Sequence, residues 1–373
     1  MTNEQLLELI SVNGMKLENA SEMQKADKNI VLIAVKQNGM ALKFASEELK
    51  ADKEIVKIAI KNKIGSIYFA SYNIKNNFEI MHSVVVRKGV LLEHGSAELR
   101  NNPELVLQAV NKNGLALQFA SNDVKNNLEV VKDAVSQNGL ALKFASDDMK
   151  NNADIVKDAV CQNGLALEFA SDDMKNNADV IIYAVNQNGL ALQFASDEIK
   201  NNADVVNDAV NQNGLALQFG GNFNNNKNIV LVAIKSSGTA MKFASNILKC
   251  DIYFVEQAYS VNKGVLHYVS EDIKDNYEFI LRIFYEYGSN YKAISNRLQQ
   301  YIDLAYLGIN ENRFAIWDLH YKLKNNEAFI IRLLNDESLI EKHGRGFISR
   351  IELNLGFSLL NNAEIMNMIK AKK

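Results

Sequence analysis

The sequence predicts an all-α fold: an α-solenoid of about twelve 25-residue two-helix repeats with a C-terminal helical cap. The stretch at 138–160, NGLALKFASDDMKNNADIVKDAV, returns almost unchanged from Asn163 and again from Asn188. The period is marked by the serine of a Phe-Ala-Ser triplet, and it is 25 residues except for one step of 24 residues into Ser245. The marker stands at Ser21, Ser46, Ser71, Ser96, Ser121, Ser146, Ser171, Ser196, Ser245, Ser270 and Ser295, with Gly221 in its place once. A fixed period of this size is typical of stacked repeats, because one such unit cannot bury its apolar face alone.

The longer helix of each repeat is read from its apolar spacing and its end signals. In one central repeat the apolar residues recur at i, i+1, i+4 and i+5, as Ile155, Val156, Ala159 and Val160. Asn151 or Asn152 can cap its N-terminus by accepting a hydrogen bond from a free backbone N–H. Asn163 and Gly164 end the helix, and we expect the glycine to take the left-handed conformation that favours it there.

The second helix starts within LALEFA, and Ser171 caps a further short turn that begins with Asp172 and Asp173. The phenylalanine of the triplet recurs with the same period, and we expect these rings to form a spine along the core. The spine comprises Phe44, Phe69, Phe119, Phe144, Phe169, Phe194, Phe219 and Phe243, with His94 taking one position as a packed, hydrogen-bonded histidine.

The repeat signal divides the chain into a solenoid at 1–295 and a C-terminal helical cap or small domain at 296–373. After residue 296 the serine marker disappears and the composition changes. That segment holds the only tryptophan, Trp317, and five of the eight arginines.

Composition excludes several classes of protein. The net charge is −3 with acids and bases interspersed, which gives no support for nucleic-acid binding. The only cysteines, Cys161 and Cys250, are more than three repeats apart, as expected in a reducing, cytoplasmic compartment. The N-terminus lacks the features of a secretory signal, and no stretch is long and apolar enough for a membrane span. The sequence does not indicate an oligomeric state.

A candidate partner-binding face lies on the long helices, at the two positions occupied by Lys157 and Asp158 in the regular repeat. Apolar residues replace them elsewhere, and an exposed apolar patch usually marks a partner. The candidates for binding a protein or peptide are Leu107, Ile182, Tyr183, Leu231 and Val232. Packing of a curved array against its own ends would give the same pattern, so both interpretations stay open.

A second candidate is a ladder of asparagine pairs, such as Asn151-Asn152 and Asn176-Asn177. Stacked amides both donate and accept hydrogen bonds, so they could clamp an extended peptide backbone. The simpler interpretation, which we favour, is helix capping.

The residues point to no enzyme chemistry in the repeats. No metal-ligand spacing, phosphate-binding glycine loop or nucleophile elbow is present, so the sequence predicts no catalytic residue, metal or cofactor. The one locally dense polar cluster is EKHGRG at 341–346 in the cap, and His343 and Arg345 of this cluster form a candidate site together with His320 and Arg350. It could form a catalytic or anion-binding site, or simply a solvated loop between helices.

The repeat resembles a tandem α-helical repeat family that is catalogued only as a domain of unknown function. The matching segments are NGLALKFAS, DDMKNN and ADIVKDAV. The resemblance covers about residues 13–295, is strongest over 103–220 and leaves out the cap. Such arrays look like those of protists and algae and of effectors from bacteria living inside amoebae, and the family implies no established activity. The sequence therefore favours a non-enzymatic interaction scaffold that binds a host protein after delivery into a host cell. The alternatives are an enzyme or ligand-binding module in the cap, with the repeats as a targeting arm, and a purely structural spacer.

Overall fold

The computed structural model describes residues 2–344 and 346–373, and every regular element within these ranges is helical. The chain divides into two compact units, Met1–Ile199 and Lys200–Lys373. Helices adjacent in sequence pack against one another within each unit. The prediction of an all-α repeat solenoid is confirmed.

Each regular repeat contains three helical segments. In a central repeat these are the ten-residue helix Ala153–Gln162, the six-residue 3₁₀-helix Gly164–Phe169 and the four-residue helix Asp172–Lys175. The predicted second helix is therefore a 3₁₀-helix, and the predicted turn after Ser171 is a short α-helix. Residues three apart lie on the same side of a 3₁₀-helix, so Gly164 and Leu167 are buried together.

The first compact unit repeats this order from its N-terminus. Its long helices are Asn3–Val12, Lys28–Gln37, Lys53–Asn62, Phe78–Val85, Pro103–Lys112, Leu128–Gln137, Ala153–Gln162 and Ala178–Gln187. Its 3₁₀-helices are Gly14–Asn19, Gly39–Phe44, Ile64–Phe69, Gly89–His94, Gly114–Phe119, Gly139–Phe144, Gly164–Phe169 and Gly189–Phe194. The short helices are Glu22–Lys25, Glu47–Lys50, Tyr72–Lys75, Ala97–Arg100, Asn122–Lys125, Asp147–Lys150, Asp172–Lys175 and Asp197–Lys200.

The second compact unit continues the order and then departs from it. Its longer helices are Ala203–Gln212, Lys227–Ser236, Ile252–Val261, Tyr277–Tyr287, Ile302–Glu311, Glu327–Asn335, Glu337–His343, Gly346–Leu353 and Ala363–Lys372. The 3₁₀-helices are Gly214–Phe219, Gly221–Asn225, Gly238–Phe243, Lys263–Tyr268, Tyr291–Ala293, Leu298–Gln300 and Arg313–Asp318. The short α-helices are Asn246–Cys250, Glu271–Lys274 and Tyr321–Lys324.

The same element order recurs once after residue 296, as Ile302–Glu311, Arg313–Asp318 and Tyr321–Lys324. His320 stands 25 residues after Ser295 and caps the short helix there, its Nδ1 accepting from the backbone N–H of Lys322 at 3.3 Å. The division at 295/296 stays a prediction.

The core differs from the predicted phenylalanine spine, and that prediction is wrong in position. Each phenylalanine of the spine is partly exposed at the edge of the core. The fully buried row comes two residues earlier in each repeat. In the first unit it consists of Leu17, Leu42, Ile67, Leu92, Leu117, Leu142, Leu167 and Leu192, all with 0% exposure. His94 is likewise half-buried beside the Glu93 carboxylate, and burial lowers the pKa of its imidazole.

The repeat glycines are needed for a close approach and not for a left-handed conformation. Among the described residues only Gly221, Gly288 and Gly344 have positive φ. A Cβ built on Gly139 would lie 2.3 Å from the carbonyl oxygen of Ala159, in the long helix of the next repeat. The prediction of a left-handed cap at these glycines is therefore wrong, because the residue is required for contact between repeats.

Side chains and backbone also connect neighbouring repeats directly. The amide of Gly139 donates to Oε1 of Gln162 at 2.6 Å, and the amide of Ser171 donates to the carbonyl of Lys150 at 3.0 Å. Similar bonds recur along the first unit, at Gly114 with Gln137 and at Ser146 with Lys125 for example. Each repeat is therefore held to the next by polar contacts as well as by the buried apolar row.

Candidate functional site

The candidate face is formed by the fifth and sixth residues of each long helix. The third, fourth, seventh and eighth residues face the core, as Val180, Ile181, Ala184 and Val185 do in the helix Ala178–Gln187. The fifth and sixth residues therefore point away from it. Within each unit, the predicted residues therefore lie on the side of their helix that faces away from the core.

Ile182 and Tyr183 are the most exposed of the predicted contact residues, at 37% and 50%. The preceding repeat presents Lys157 and Asp158 at the same positions. The Lys157 ammonium lies 5.9 Å from the centre of the Tyr183 ring, a cation–π contact, and Asp158 lies 4.0 Å from Lys132. Ile182 and Tyr183 thus form an apolar step on this face, beside the charged residues of the preceding repeat.

Leu107 is also in the first unit, and it is half-buried on the helix Pro103–Lys112. Leu231 and Val232 lie on the helix Lys227–Ser236 of the second unit, and both are half-buried. These three side chains present less apolar surface than Tyr183. Their roles in binding stay predictions.

The asparagine ladder serves the fold in two ways. The second asparagine of each pair caps the following long helix, and Oδ1 of Asn152 accepts from the amides of Asp154 and Ile155 at 3.0 and 3.2 Å. The first asparagine accepts from the marker serine of the next repeat, as Asn151 does from the Ser171 hydroxyl at 2.6 Å. Capping, the favoured interpretation, accounts for the second asparagine, and a contact between repeats accounts for the first.

Replacing Asn152 with alanine is expected to lower the free energy of unfolding by about 1 kcal/mol, because the amides of Asp154 and Ile155 lose their acceptor. Asn152→Ser is the matched control, since serine supplies an equivalent oxygen and should retain most of the stability. Urea titration followed by circular dichroism measures both. Equal losses for the two variants would show that the cap is not the stabilising contact.

The predicted polar cluster of the C-terminal helical cap separates into two groups in the structure. Nε2 of His343 donates to the carbonyl of Ile309 at 2.7 Å, and Arg350 lies over the Phe314 ring at 5.0 Å from its centre. Arg313 joins them, because it also lies over Phe314 and donates to the His343 carbonyl at 3.3 Å.

His320 belongs to the second group. Its ring lies 4.4 Å from that of Tyr321, the next residue, and its Nδ1 caps its own short helix. Arg345 lies outside the described residues. The core nearby is apolar, with Leu333, Leu334, Phe347, Ile348 and Ile351 fully buried.

No three His, Cys, Asp or Glu side chains in 2–344 and 346–373 are grouped so that they could hold a metal ion. Within the same ranges, no helix has the length and apolar character needed to cross a membrane.

One surface was not predicted from the sequence. The C-terminal ends of the second to fourth long helices carry lysine and arginine side chains, Lys36, Lys61 and Arg87, beside grooves between the helices. The signal in the sequence is the ninth helix position, which is lysine in the second and third repeats and neutral at Asn111 and Ser136.

The fold and its surfaces define an α-helical repeat protein with polar contacts between successive repeats. The family model described as a domain of unknown function, DUF4116, matches residues 4–50, 27–75, 77–125, 127–175 and 177–222, each segment spanning about two repeats. The matches cover more than half of the chain, which belongs to this family. A comparison with curated proteins finds no match.

Proposed function

We propose that the protein is a non-enzymatic interaction scaffold that binds another protein through the outer face of its long helices, centred on Ile182 and Tyr183. The observation that carries the proposal is the exposure of these two side chains, 37% and 50%, where neighbouring repeats carry polar residues. Large apolar side chains on a polar face are typical of a contact surface.

The physical chemistry of the face supports a protein partner. Tyrosine combines a large apolar ring with a hydroxyl and loses little conformational freedom on binding, which is why it is frequent at the centres of interfaces. The backbone beneath it is preorganised, because Asn177 caps the helix by accepting from Val180 at 3.2 Å and the N–H of Asn188 closes its last turn. A surface that is already ordered loses less entropy when a partner docks.

Lys157 determines part of the partner's chemistry. Its ammonium lies beside the Tyr183 ring and at the border of the apolar step. A partner with an apolar side chain for the Ile182–Tyr183 step and a carboxylate for Lys157 would satisfy both groups.

The second part of the proposal is that the partner is a host protein in the cytoplasm of a cell into which the chain is delivered. The support is the resemblance of the repeat to arrays in effectors of amoeba-dwelling bacteria. A translocation reporter fused to the chain tests delivery during infection. Retention of the reporter in the bacterium under conditions that deliver a known effector would contradict this part.

Tyr183→Asp is expected to weaken partner binding at least about tenfold, because it replaces the exposed ring with a charge that must be desolvated on docking. The melting temperature should change by less than about 2 °C, since the ring is half-exposed. Capture from amoeba lysate with wild-type and variant protein, quantified by mass spectrometry, provides the measurement.

Tyr72→Asp is the matched control, because Tyr72 is 65% exposed on a short helix of the same unit. It introduces the same charge at a distance from the proposed face. Partners captured equally by all three proteins would remove the Tyr183 face from consideration.

A further inference from the structure

We infer that a basic groove at the C-terminal ends of the second to fourth long helices binds an extended acidic peptide segment of a partner protein. The basic groove is defined as two adjoining grooves that share Lys61. One lies between Lys53–Asn62 and Phe78–Val85, and the other between Lys28–Gln37 and Lys53–Asn62.

The lining is strongly basic. The first groove is lined by Lys57, Lys61 and Arg87 together with Glu79 and His82, and it encloses about 430 Å³. Lys57 pairs with the one carboxylate, Glu79, at 3.2 Å. Lys61 and Arg87 therefore keep their charge available for an anionic ligand.

The second groove is lined by Lys36 of the second long helix and by the half-buried Ile58 of the third. In the described part of the chain, the ammonium groups of Lys36 and Lys61 have no carboxylate within ion-pair distance. Two more lysines, Lys63 and Lys88, are exposed just beyond the ends of these helices. Charge without an internal partner is complementary to a negatively charged ligand.

The shorter fourth long helix shapes this groove. Phe78–Val85 has eight residues where its neighbours have ten, and the chain beyond it carries Arg87. Nη1 of Arg87 donates to the carbonyl of Ile60 at 3.1 Å, so the arginine is fixed across the groove from Lys61. The other guanidinium N–H groups remain available for a carboxylate.

The geometry favours an extended peptide as the occupant. Packed helices lie about 8–10 Å apart, so Lys36 and Lys61, at equivalent positions of adjacent helices, repeat at about that distance. In the polyproline II form an extended chain has three residues per turn and rises about 3.1 Å per residue, so carboxylates three residues apart share one side and lie about 9 Å apart, which matches this spacing. Ile58 lines the same groove one turn before Lys61 on its helix, and it suits an apolar side chain of the peptide.

A nucleic acid or an anionic membrane fits less well. The N-terminal ends of the third and fourth long helices carry Glu54 and Glu79 as their second residues. At 1.5 Å per residue these acids lie about 10 Å from the lysines, close to the Debye length, and would repel a broad anionic surface. A single narrow chain can follow Lys36, Lys61 and Arg87 while Glu79, which lines the groove, stays paired with Lys57.

The test uses a fluorescein-labelled peptide of repeated Glu-Leu-Ser triplets, the same peptide with Gln for Glu, oligothymidine, and vesicles containing phosphatidylserine. Anisotropy at low salt should show saturable binding of the Glu peptide, weakened by added salt. The Lys36→Gln/Lys61→Gln variant should bind it about tenfold more weakly. The matched control, Lys132→Gln/Lys143→Gln, removes the same charge from later repeats and should bind within about twofold of wild type.

Charge reversal provides a second check that does not depend on loss of binding. Lys36→Glu/Lys61→Glu should prefer a peptide with Lys in place of Glu, provided that its circular dichroism spectrum matches wild type. Tyr183→Asp should leave the affinity for the Glu peptide unchanged, so failure of the Tyr183 face and failure of the basic groove are distinguishable.

Three results would overturn the inference. The first is equal affinity for the Glu and Gln peptides. The second is an equal loss of binding in the groove variant and its control. The third is tighter binding of oligothymidine or vesicles that disappears in the groove variant, which would assign the groove to nucleic acid or to membrane.

Discussion

Replacing Gly139 with alanine is expected to lower the free energy of unfolding by about 3 kcal/mol. The added Cβ would lie 2.3 Å from the Ala159 carbonyl oxygen, and both atoms are fixed by helical backbone. The repeats must separate to relieve this contact. Separation also weakens the bond from the Gly139 amide to Gln162, which is 2.6 Å long.

Gly65→Ala is the matched control for this prediction. Gly65 lies at a similar place in an earlier repeat, and a Cβ there meets no atom within 4 Å. Its replacement should leave stability unchanged or raise it by up to about 1 kcal/mol, because alanine restricts the unfolded chain. Urea titration gives the two values, and amide exchange in Ala153–Gln162 locates the loss. Similar effects of both substitutions would show that the contact with Ala159 is not the cause.

The glycine contact explains a coupled irregularity in the sequence. Ile64 stands where the third repeat should have its glycine, and Val84 stands where the next long helix should have its alanine. The helix Phe78–Val85 that contains Val84 is two residues shorter than its neighbours. A change at one side of this contact is thus accompanied by changes at the other. The close approach therefore depends on the residues that both neighbouring repeats supply.

The parts of the fold that depend on local chemistry were predictable. The apolar spacing around Ile155 and Val156 indicated the long helix, and the caps at Asn152 and Ser171 were recognisable from their residue types. Both caps act within three residues in the chain, so a single repeat carries the information.

Contacts between repeats were not predictable in the same way. Ser171 was visible as a marker, but its hydroxyl also donates to Asn151, twenty residues earlier, and nothing local indicates that pairing. The usual local rule predicts a left-handed cap at the repeat glycine. The residue must instead be glycine because the helix of the next repeat lies too close for a Cβ atom. Beyond Ser295 the marker fails because His320 replaces serine, although its ring nitrogen performs the same capping.

The candidate surfaces were also only partly predictable from the sequence. Tyr183 breaks the polar pattern of its neighbours in the sequence, and its side chain is exposed in the structure. Lys36 and Lys61 occupy a helix position whose residue type varies between repeats, so neither lysine alone predicts a binding surface. Their charge becomes informative only when adjacent helices bring the two lysines to grooves that meet at Lys61.

Leu142→Ala is expected to lower the free energy of unfolding by about 3–4 kcal/mol, and Phe144→Ala by only about 1.5 kcal/mol. Leu142 has 0% exposure, so its truncation leaves a cavity where the 3₁₀-helix Gly139–Phe144 packs against the helices Leu128–Gln137 and Ala153–Gln162. Phe144 is partly exposed at the edge, with Lys143 over its ring at 6.0 Å, so water can fill the space left by the ring.

The comparison separates burial from side-chain size, because the phenylalanine substitution removes more atoms. If size governed the loss, Phe144→Ala would be the more harmful change. Paired urea titrations of the two variants measure the order directly. A larger loss for Phe144→Ala would show that the phenylalanines form the core and would contradict the leucine row. A larger loss for Leu142→Ala would show that the leucines form the core and that the phenylalanine rings lie at its solvent-exposed edge.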